Sequence, residues 1–213
     1  MRMTKKIKTE MLALLEAQYG NTGTALNYNS PFELLIAVIL SAQCTDVRVN
    51  VITARLFPTY NSPAKILTLS LAELEELIRD CGLFHSKAKN ILAACRMIEE
   101  EFGGEVPDTF DKLIRLPGVG RKTANVMLSV CFGVPALAVD THVFRVSNRM
   151  RLAKGNTPIE VEEGLMKLIP RSAWGNAHHW LIWHGRKVCR ARNPLCADCV
   201  VRDLCPSREE NKS

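Results

Sequence analysis

The chain has 213 residues, of which 47% are hydrophobic, and its formal net charge is +6 at pH 7. This length and apolar content can form a buried core, in one large domain or two small ones. The longest apolar run, Leu34–Leu40, is too short to cross a bilayer, so no membrane span is expected. The charged stretch at the start predicts no signal peptide, so we expect the cytoplasm, where thiols stay reduced.

Helix-start signals recur along the chain. Ser30-Pro31-Phe32-Glu33 has the order of an N-cap, a proline at the first helical position and a capping-box glutamate, and it predicts an apolar helix through Ala42. Ser70 and Thr157 begin the same kind of pattern.

A further helix is predicted from an N-cap at Ser86 to Phe102, ended by Gly103-Gly104. No stretch shows sustained alternation with a period of two residues, so the predicted fold class is all-α.

The middle of the chain contains the motif Leu116–Ala124, which includes Pro-Gly-Val-Gly. A short helix is expected to end near Leu116, because Pro117 disfavours its continuation. Gly118 and Gly120 allow a tight hairpin with positive φ angles.

A second helix is predicted to begin near Arg121, with Leu116 and Val119 packing the hairpin onto the core. The backbone N–H groups beside such a helix start form an anion site that is indifferent to base identity. The motif therefore favours a phosphate-binding hairpin, and the alternative is a plain corner between two helices.

Four cysteines lie near the C-terminal end of the sequence, with six, two and five residues between them: Cys189, Cys196, Cys199 and Cys205. Such a group can fold a short irregular segment around one inorganic centre. Because only one pair is close, the spacing favours an iron–sulfur cluster over a zinc knuckle, which remains the alternative. Basic side chains surround these cysteines and suit a polyanion such as nucleic acid, although an ordinary solvated surface has similar composition.

These motifs together resemble the endonuclease III family, the iron–sulfur, helix-hairpin-helix branch of the DNA glycosylases. The resemblance rests on Leu116–Ala124, Val139-Asp140-Thr141-His142, Ser41–Asp46 and the cysteine spacing, in that family's order. It implies a [4Fe-4S] cluster bound by the four cysteines. It also implies a barrel-like helical domain, residues 24–134, and an iron–sulfur-cluster domain of residues 1–23 and 135–213, with the active cleft between them.

The resemblance further implies a bifunctional enzyme of base excision repair, a DNA glycosylase and abasic-site β-lyase that removes oxidised pyrimidines from duplex DNA. Lys122 would attack the sugar C1′ of a flipped nucleotide, form a Schiff base and lead to a nick 3′ of the abasic site. Asp140 would assist electrostatically or as a proton shuttle. Without the resemblance, Lys122 would be interpreted as a phosphate contact and Asp140 as a helix cap.

The implied partner is double-stranded DNA with damaged bases or abasic sites, bound by a monomer at the nucleoid. Gln43 and Leu83 would fill the gap that the flipped base leaves; the alternatives are a turn cap for Gln43 and a core position for Leu83. The other implied DNA contacts are Gly118, Val119, Gly120 and Arg121 of the hairpin, and Arg190 and Arg192 beside the cysteines.

Two other functions are the alternatives to this one. A monofunctional mismatch glycosylase of the same superfamily lacks a lysine at the Lys122 position and has a catalytic glutamate in an early helix, whereas no carboxylate lies between Glu33 and Asp46 here. A non-catalytic DNA-binding iron–sulfur protein would not need both Lys122 and Asp140.

Overall fold

The computed structural model describes residues 3–208 and is all-α, as predicted. Within that range the chain forms eleven α-helices, three 3₁₀ helices and no β-strand. The α-helices are α1 (Lys5–Tyr19), α2 (Pro31–Leu40), α3 (Asp46–Leu56), α4 (Pro63–Ile66), α5 (Leu71–Ile78), α6 (Phe84–Phe102), α7 (Phe110–Leu113), α8 (Arg121–Cys131), α9 (Thr141–Arg149), α10 (Pro158–Leu168) and α11 (Trp174–Lys187).

The chain divides into two compact units. Residues Ala25–Gly133 form one, called here the hairpin unit, and the residues up to Thr24 together with those from Val134 onward form the other, the cysteine unit. These bounds lie one residue from the predicted domain limits. None of the helices between residues 3 and 208 has the length and apolar character that crossing a membrane requires.

Helix α2 forms the centre of the hairpin unit. Every side chain from Phe32 to Leu40 is at most 6% exposed, and α3, α6 and α8 pack against this helix. A helix that is apolar on all sides is stable only when it is surrounded by other elements. The loops that leave both ends of α2 are therefore fixed by the core of this unit.

The N-terminus of α2 agrees with the prediction, and its C-terminus does not. Ser30 Oγ accepts a hydrogen bond from the Glu33 amide at 3.2 Å, as an N-cap should. The Glu33 carboxylate accepts a hydrogen bond from the backbone amide of Asn29 at 2.6 Å. A capping box would use the backbone amide of Ser30, one residue later. The helix ends at Leu40 instead of Ala42, because the Ala42 amide bonds to the Ile39 carbonyl and tightens the last turn.

Two other predicted caps are present and one is wrong. Ser70 forms a complete capping box with Glu73, and Thr157 caps α10. Ser86, predicted as an N-cap, lies inside α6, which begins at Phe84 after a residue in the left-handed conformation. Gly103 ends α6 with φ +62°, as predicted.

The cysteine unit is built around one apolar cluster. Met11 and Leu15 of α1, Val143 of α9, Leu165 of α10 and Leu181 of α11 are all fully buried in it. Helices α9 and α11 pack on each other, and α1 packs on α11. This core fixes the N-terminus of α9 and the C-terminus of α11, where the predicted Asp140 and cysteine sites begin.

Candidate functional site

The hairpin between α7 and α8 depends on one glycine. Gly118 has φ +82°, and a Cβ atom there would lie 3.0 Å from the Asn90 Cβ. The Val119 amide donates to the Leu116 carbonyl at 3.0 Å and closes the turn. Leu116 and Val119 are buried, as predicted. The hairpin is thus packed closely against α6, which carries Asn90.

The second hairpin glycine differs from the prediction. Gly120 has φ −96° and is the N-cap residue of α8, a position that takes extended backbone. Its carbonyl accepts from the Ala124 amide at 2.9 Å. The positive φ predicted for Gly120 is therefore wrong, because the turn is completed at Gly118.

Lys122 is the second residue of α8 and is half-buried. The first turn of this helix contains no acidic residue, and the helix dipole makes its N-terminus electropositive. Arg121 is exposed, and its guanidinium lies 5.3 Å from the centre of the Phe110 ring. The hairpin and the first turn of α8 thus present positive charge and a lysine amine side by side.

Two loops of the hairpin unit carry residues in an unusual backbone conformation. Gln43 has φ +53° and Leu83 has φ +60°, in the left-handed region that non-glycine residues rarely adopt. We call residues 41–44 and 81–83 the loop pair. Its two members lie close together, since a Cβ atom at Gly82 would be 3.2 Å from the Gln43 carbonyl oxygen.

The Gln43 and Leu83 side chains of the loop pair point outward. Leu83 is 56% exposed, so it is not a core residue. Gln43 is also exposed. An exposed leucine held in a left-handed conformation has a fixed direction, which is the property that a wedge between stacked bases requires.

Asp140 begins α9 in the cysteine unit. Its Oδ1 accepts a hydrogen bond from the Val143 amide at 2.8 Å, so the carboxylate is a helix N-cap. The cap fixes the orientation of a half-buried carboxylate. Burial lowers the pKa of nearby His142, and the Asp140 charge opposes that shift.

All four predicted cysteine ligands line one cavity of about 390 Å³ in the cysteine unit. They lie in the stretch after α11 that contains two 3₁₀ helices, Cys196–Asp198 and Arg202–Leu204. We call residues 189–205 the cysteine segment. Within residues 3–208 no group of three or more His, Cys, Asp or Glu side chains is placed to hold a metal ion.

The donor chemistry of this cavity fits an iron–sulfur cluster. Such a cluster takes one thiolate at each iron, so its ligands surround a volume instead of meeting at one atom. Burial raises the pKa of the Cys199 thiol to about 11, and the other three cysteines add to the effect. A buried thiol of this kind becomes an anion when it binds a cationic centre.

Two arginines of α9 hold the start of the cysteine segment through its backbone. Arg149 donates to the carbonyls of Arg190, at 2.5 Å, and Ala191, at 2.8 Å. Arg145 donates to the Cys189 carbonyl at 3.1 Å. The side chains of Arg190 and Arg192 remain exposed. The sequence motifs indicate those two exposed arginines, but they do not indicate Arg145 and Arg149, which fix the backbone of the same loop.

His184 is a further residue beside the cysteine segment, and its sequence spacing predicts only core packing. It is 1% exposed, its Nδ1 lies 3.1 Å from the Tyr19 hydroxyl, and its Nε2 lies 3.6 Å from the Cys199 sulfur. Burial lowers its pKa to about 4. A neutral imidazole therefore connects α1 to the cysteine segment.

Two family models match this chain. One describes an HhH-GPD superfamily base excision DNA repair protein and matches residues 36–171. The other describes the iron–sulfur binding domain of endonuclease III and matches residues 189–205, which are the cysteine segment.

Curated relatives match over almost the whole chain. The chain is 51% identical to endonuclease III of Haemophilus influenzae over 98% of its own length and 99% of that protein. It is 49% identical to endonuclease III of Escherichia coli K12, with the same coverage. The chain belongs to the endonuclease III family. It is therefore a DNA glycosylase and abasic-site lyase of base excision repair, and its cofactor is a [4Fe-4S] cluster, as the resemblance implied.

Solved structures of the family have the same fold. A trapped covalent intermediate of endonuclease III with DNA has a TM-score of 0.95 and 45% identity, covering 100% of both chains. A non-covalent endonuclease III–DNA complex also has a TM-score of 0.95 and covers 99% of both. A thermostable thymine-DNA glycosylase, at 24% identity and a TM-score of 0.86, shares the fold.

Proposed function

We propose that Lys122 is the nucleophile with which this enzyme removes oxidised pyrimidines from duplex DNA and then cuts the strand. The observation that carries the proposal is the position of Lys122, in the first turn of α8 directly after the hairpin. A related endonuclease III was trapped as a covalent intermediate with DNA, and such an intermediate requires a nucleophile.

The proposed reaction has two stages. The unprotonated Lys122 amine forms a bond to C1′ of a flipped nucleotide as the bond from C1′ to the base breaks, and the base leaves with a proton. The sugar ring opens to an imine. Loss of a proton from C2′ then expels the 3′ phosphate, which leaves a nicked strand and regenerates the amine after hydrolysis.

Asp140 supplies negative charge for this reaction. Its Oδ1 is engaged by the Val143 amide, which orients the carboxylate without neutralising it. A fixed carboxylate stabilises the positive charge that develops on the sugar as the base departs, and it can relay protons.

The remaining proposed contacts bind DNA without reading its sequence. The hairpin residues Gly118, Val119 and Gly120 and the Arg121 side chain contact phosphate at the start of α8. Gln43 and Leu83 fill the gap in the stacked bases, which offsets part of the cost of flipping. Cys189, Cys196, Cys199 and Cys205 bind the cluster, which shapes the loop that carries Arg190 and Arg192. The enzyme acts as a monomer at the nucleoid in the cytoplasm.

The test is strand cleavage by Lys122→Gln on a duplex with a single oxidised pyrimidine. Cleavage should be lost while DNA affinity persists, because the amide side chain cannot form an imine. Lys112→Gln, an exposed lysine on α7, removes the same charge near the hairpin and should cleave normally. Retained cleavage by Lys122→Gln would remove Lys122 from the mechanism.

A further inference from the structure

Lys87 is a charged side chain in the interior of the hairpin unit. It is 4% exposed, and burial of an ammonium group is unfavourable unless its donors are satisfied. Its Nζ donates to the Leu40 carbonyl at 2.8 Å, the Ala42 carbonyl at 2.5 Å and the Cys81 sulfur at 3.0 Å. The three donors of the ammonium therefore meet three acceptors.

The acceptors of Lys87 come from both members of the loop pair. Ala42 directly precedes Gln43, and Cys81 lies two residues before Leu83. Cys81 also donates its own thiol hydrogen to the Leu40 carbonyl at 3.1 Å. Burial raises the pKa of Cys81, and Lys87 opposes that shift, so the sulfur is a neutral thiol. One ammonium thus joins the end of α2 to the loop before α6.

The backbone of Lys87 holds the second loop as well. Its amide donates to the Leu83 carbonyl at 3.1 Å. Gln43 and Leu83 both have left-handed backbone angles, and such conformations persist in non-glycine residues only where the surroundings hold them. The Lys87 side chain thus donates to the Ala42 carbonyl, directly before Gln43, and the Lys87 amide donates to the carbonyl of Leu83 itself.

Helix α6 also meets the hairpin, one turn after Lys87. Asn90, three residues further along, is the residue that a Cβ atom at Gly118 would touch at 3.0 Å. Residues three apart on a helix share a face. The loop pair and the hairpin therefore rest on one face of the first two turns of α6.

We propose that Lys87 is a positioning residue, whose buried ammonium fixes Gln43 and Leu83 in the directions needed to fill the gap beside a flipped nucleotide. This inference rests on the proposed role of Gln43 and Leu83 in DNA binding. Lys87 contacts no DNA and takes no part in bond breaking. It acts on the duplex only through the two loops that it holds together.

The first test measures the loops without DNA. Lys87→Met fills the same volume but loses the three hydrogen bonds of the ammonium. Hydrogen exchange of the Cys44 and Cys81 amides, which bond to the Ser41 and Ile78 carbonyls, should become at least about tenfold faster. Ile98→Val, a core change at the far end of α6, is the matched control and should leave these two amides unchanged relative to the rest of the unit. Equal exchange in Lys87→Met and wild type would overturn the proposal.

The second test measures the consequence for DNA. The ratio kcat/KM on a lesion-containing duplex should fall on the order of 100-fold in Lys87→Met, since a displacement near 1 Å in a positioning group has effects of that size. Fluorescence of 2-aminopurine opposite the lesion should show the unfilled gap. Lys87→Arg keeps the charge and the donors, so it should recover most of the loss. Unchanged kinetics in Lys87→Met, despite faster exchange of the loop amides, would also overturn the proposal.

Gln43→Ala and Leu83→Ala separate this inference from the proposed function. If both lower duplex activity and Lys87→Met does not, the loop pair works without Lys87 and only the positioning inference fails. If neither has an effect, the proposed role of the loop pair is wrong. The predicted result is a loss in all three variants, with normal cleavage by Ile98→Val.

Discussion

The loop pair and the cysteine segment are both irregular, exposed parts of the chain, but they are held in different ways. The loop pair is held by the buried Lys87, which donates to the Leu40 and Ala42 carbonyls and to the Cys81 sulfur, all within the hairpin unit. Among residues 189–205, all of which the structure describes, only Val201 is buried. The cysteine segment has almost no apolar core of its own, so its order depends on arginine contacts and on the cluster. A small segment without a core needs a metal centre to fix it.

The largest expected effect comes from removing a cluster ligand. Cys196→Ser should lower the iron content from about four atoms per chain toward zero. DNA affinity should fall more than about 100-fold, because the loop that carries Arg190 and Arg192 loses its order. Iron analysis and fluorescence anisotropy with duplex DNA measure the two effects.

Cys131→Ser is the control for that substitution. Cys131 is a half-buried thiol of the hairpin unit, and its loss should leave the iron content unchanged. Full iron occupancy in Cys196→Ser would contradict the assignment of the four ligands and the contrast between the two regions.

A smaller effect is expected when the arginine support is removed and the cluster is kept. Arg149→Ala loses the hydrogen bonds to the carbonyls of Arg190 and Ala191. DNA affinity should fall at least about tenfold, since one hydrogen bond made by a charged group contributes about 1.5–3 kcal/mol. Iron content should stay normal. Arg171→Ala, which removes a contact with the Trp174 ring elsewhere in the unit, should bind DNA as wild type does; equal losses in the two variants would show a general charge effect.

Two glycines of the hairpin, Gly118 and Gly120, allow a matched test of the hairpin unit, which protein contacts alone hold together. Gly118→Ala should lower the free energy of unfolding by about 1–3 kcal/mol, because of its positive φ and its contact with Asn90. Gly120→Ala, with φ −96° and open space around it, should cost less than about 1 kcal/mol. Urea unfolding measures both, and equal losses would contradict the described hairpin.

The last effect concerns a core thiol and appears only at alkaline pH. Burial raises the pKa of Cys95 to about 12, above its ordinary value in the unfolded chain. The unfolded chain therefore releases this proton first, so the stability contribution is complete below about pH 9 and is lost as the pH rises toward 12. The free energy of unfolding should decline by up to about 1.4 kcal/mol per pH unit in that window. In Cys95→Ala the free energy of unfolding should decline less steeply with pH. A slope identical to that of the wild type would contradict the raised pKa of Cys95.

Much of the fold follows from local signals. Ser30, Ser70 and Thr157 cap helices, and Gly103 ends α6, because short side chains and glycine act within one turn of their own position. Ser86 has the same chemistry and does not cap. Helix α6 begins three residues earlier than that cap would place it, after Leu83 in a left-handed conformation that tertiary contacts hold, and no local rule reports such contacts.

The residues that support the site were not visible in the sequence. Lys87 looks like any helical lysine, Arg149 like a surface arginine and His184 like a core histidine. Each acts through a partner far along the chain: Leu40, the Arg190 carbonyl and Tyr19. Motifs with characteristic spacing identified the reactive and cluster-binding candidates. The groups that hold them emerge only once distant segments are packed together.

The measurement that tests the central claim most directly is borohydride trapping on a duplex with one abasic site. Reduction of an imine should give a covalent adduct between the protein and DNA in the wild type and in Lys112→Ala. Lys122→Ala should bind the same duplex and give no adduct. An adduct of equal yield in Lys122→Ala would place the nucleophile at another amine and contradict the mechanism proposed for this enzyme.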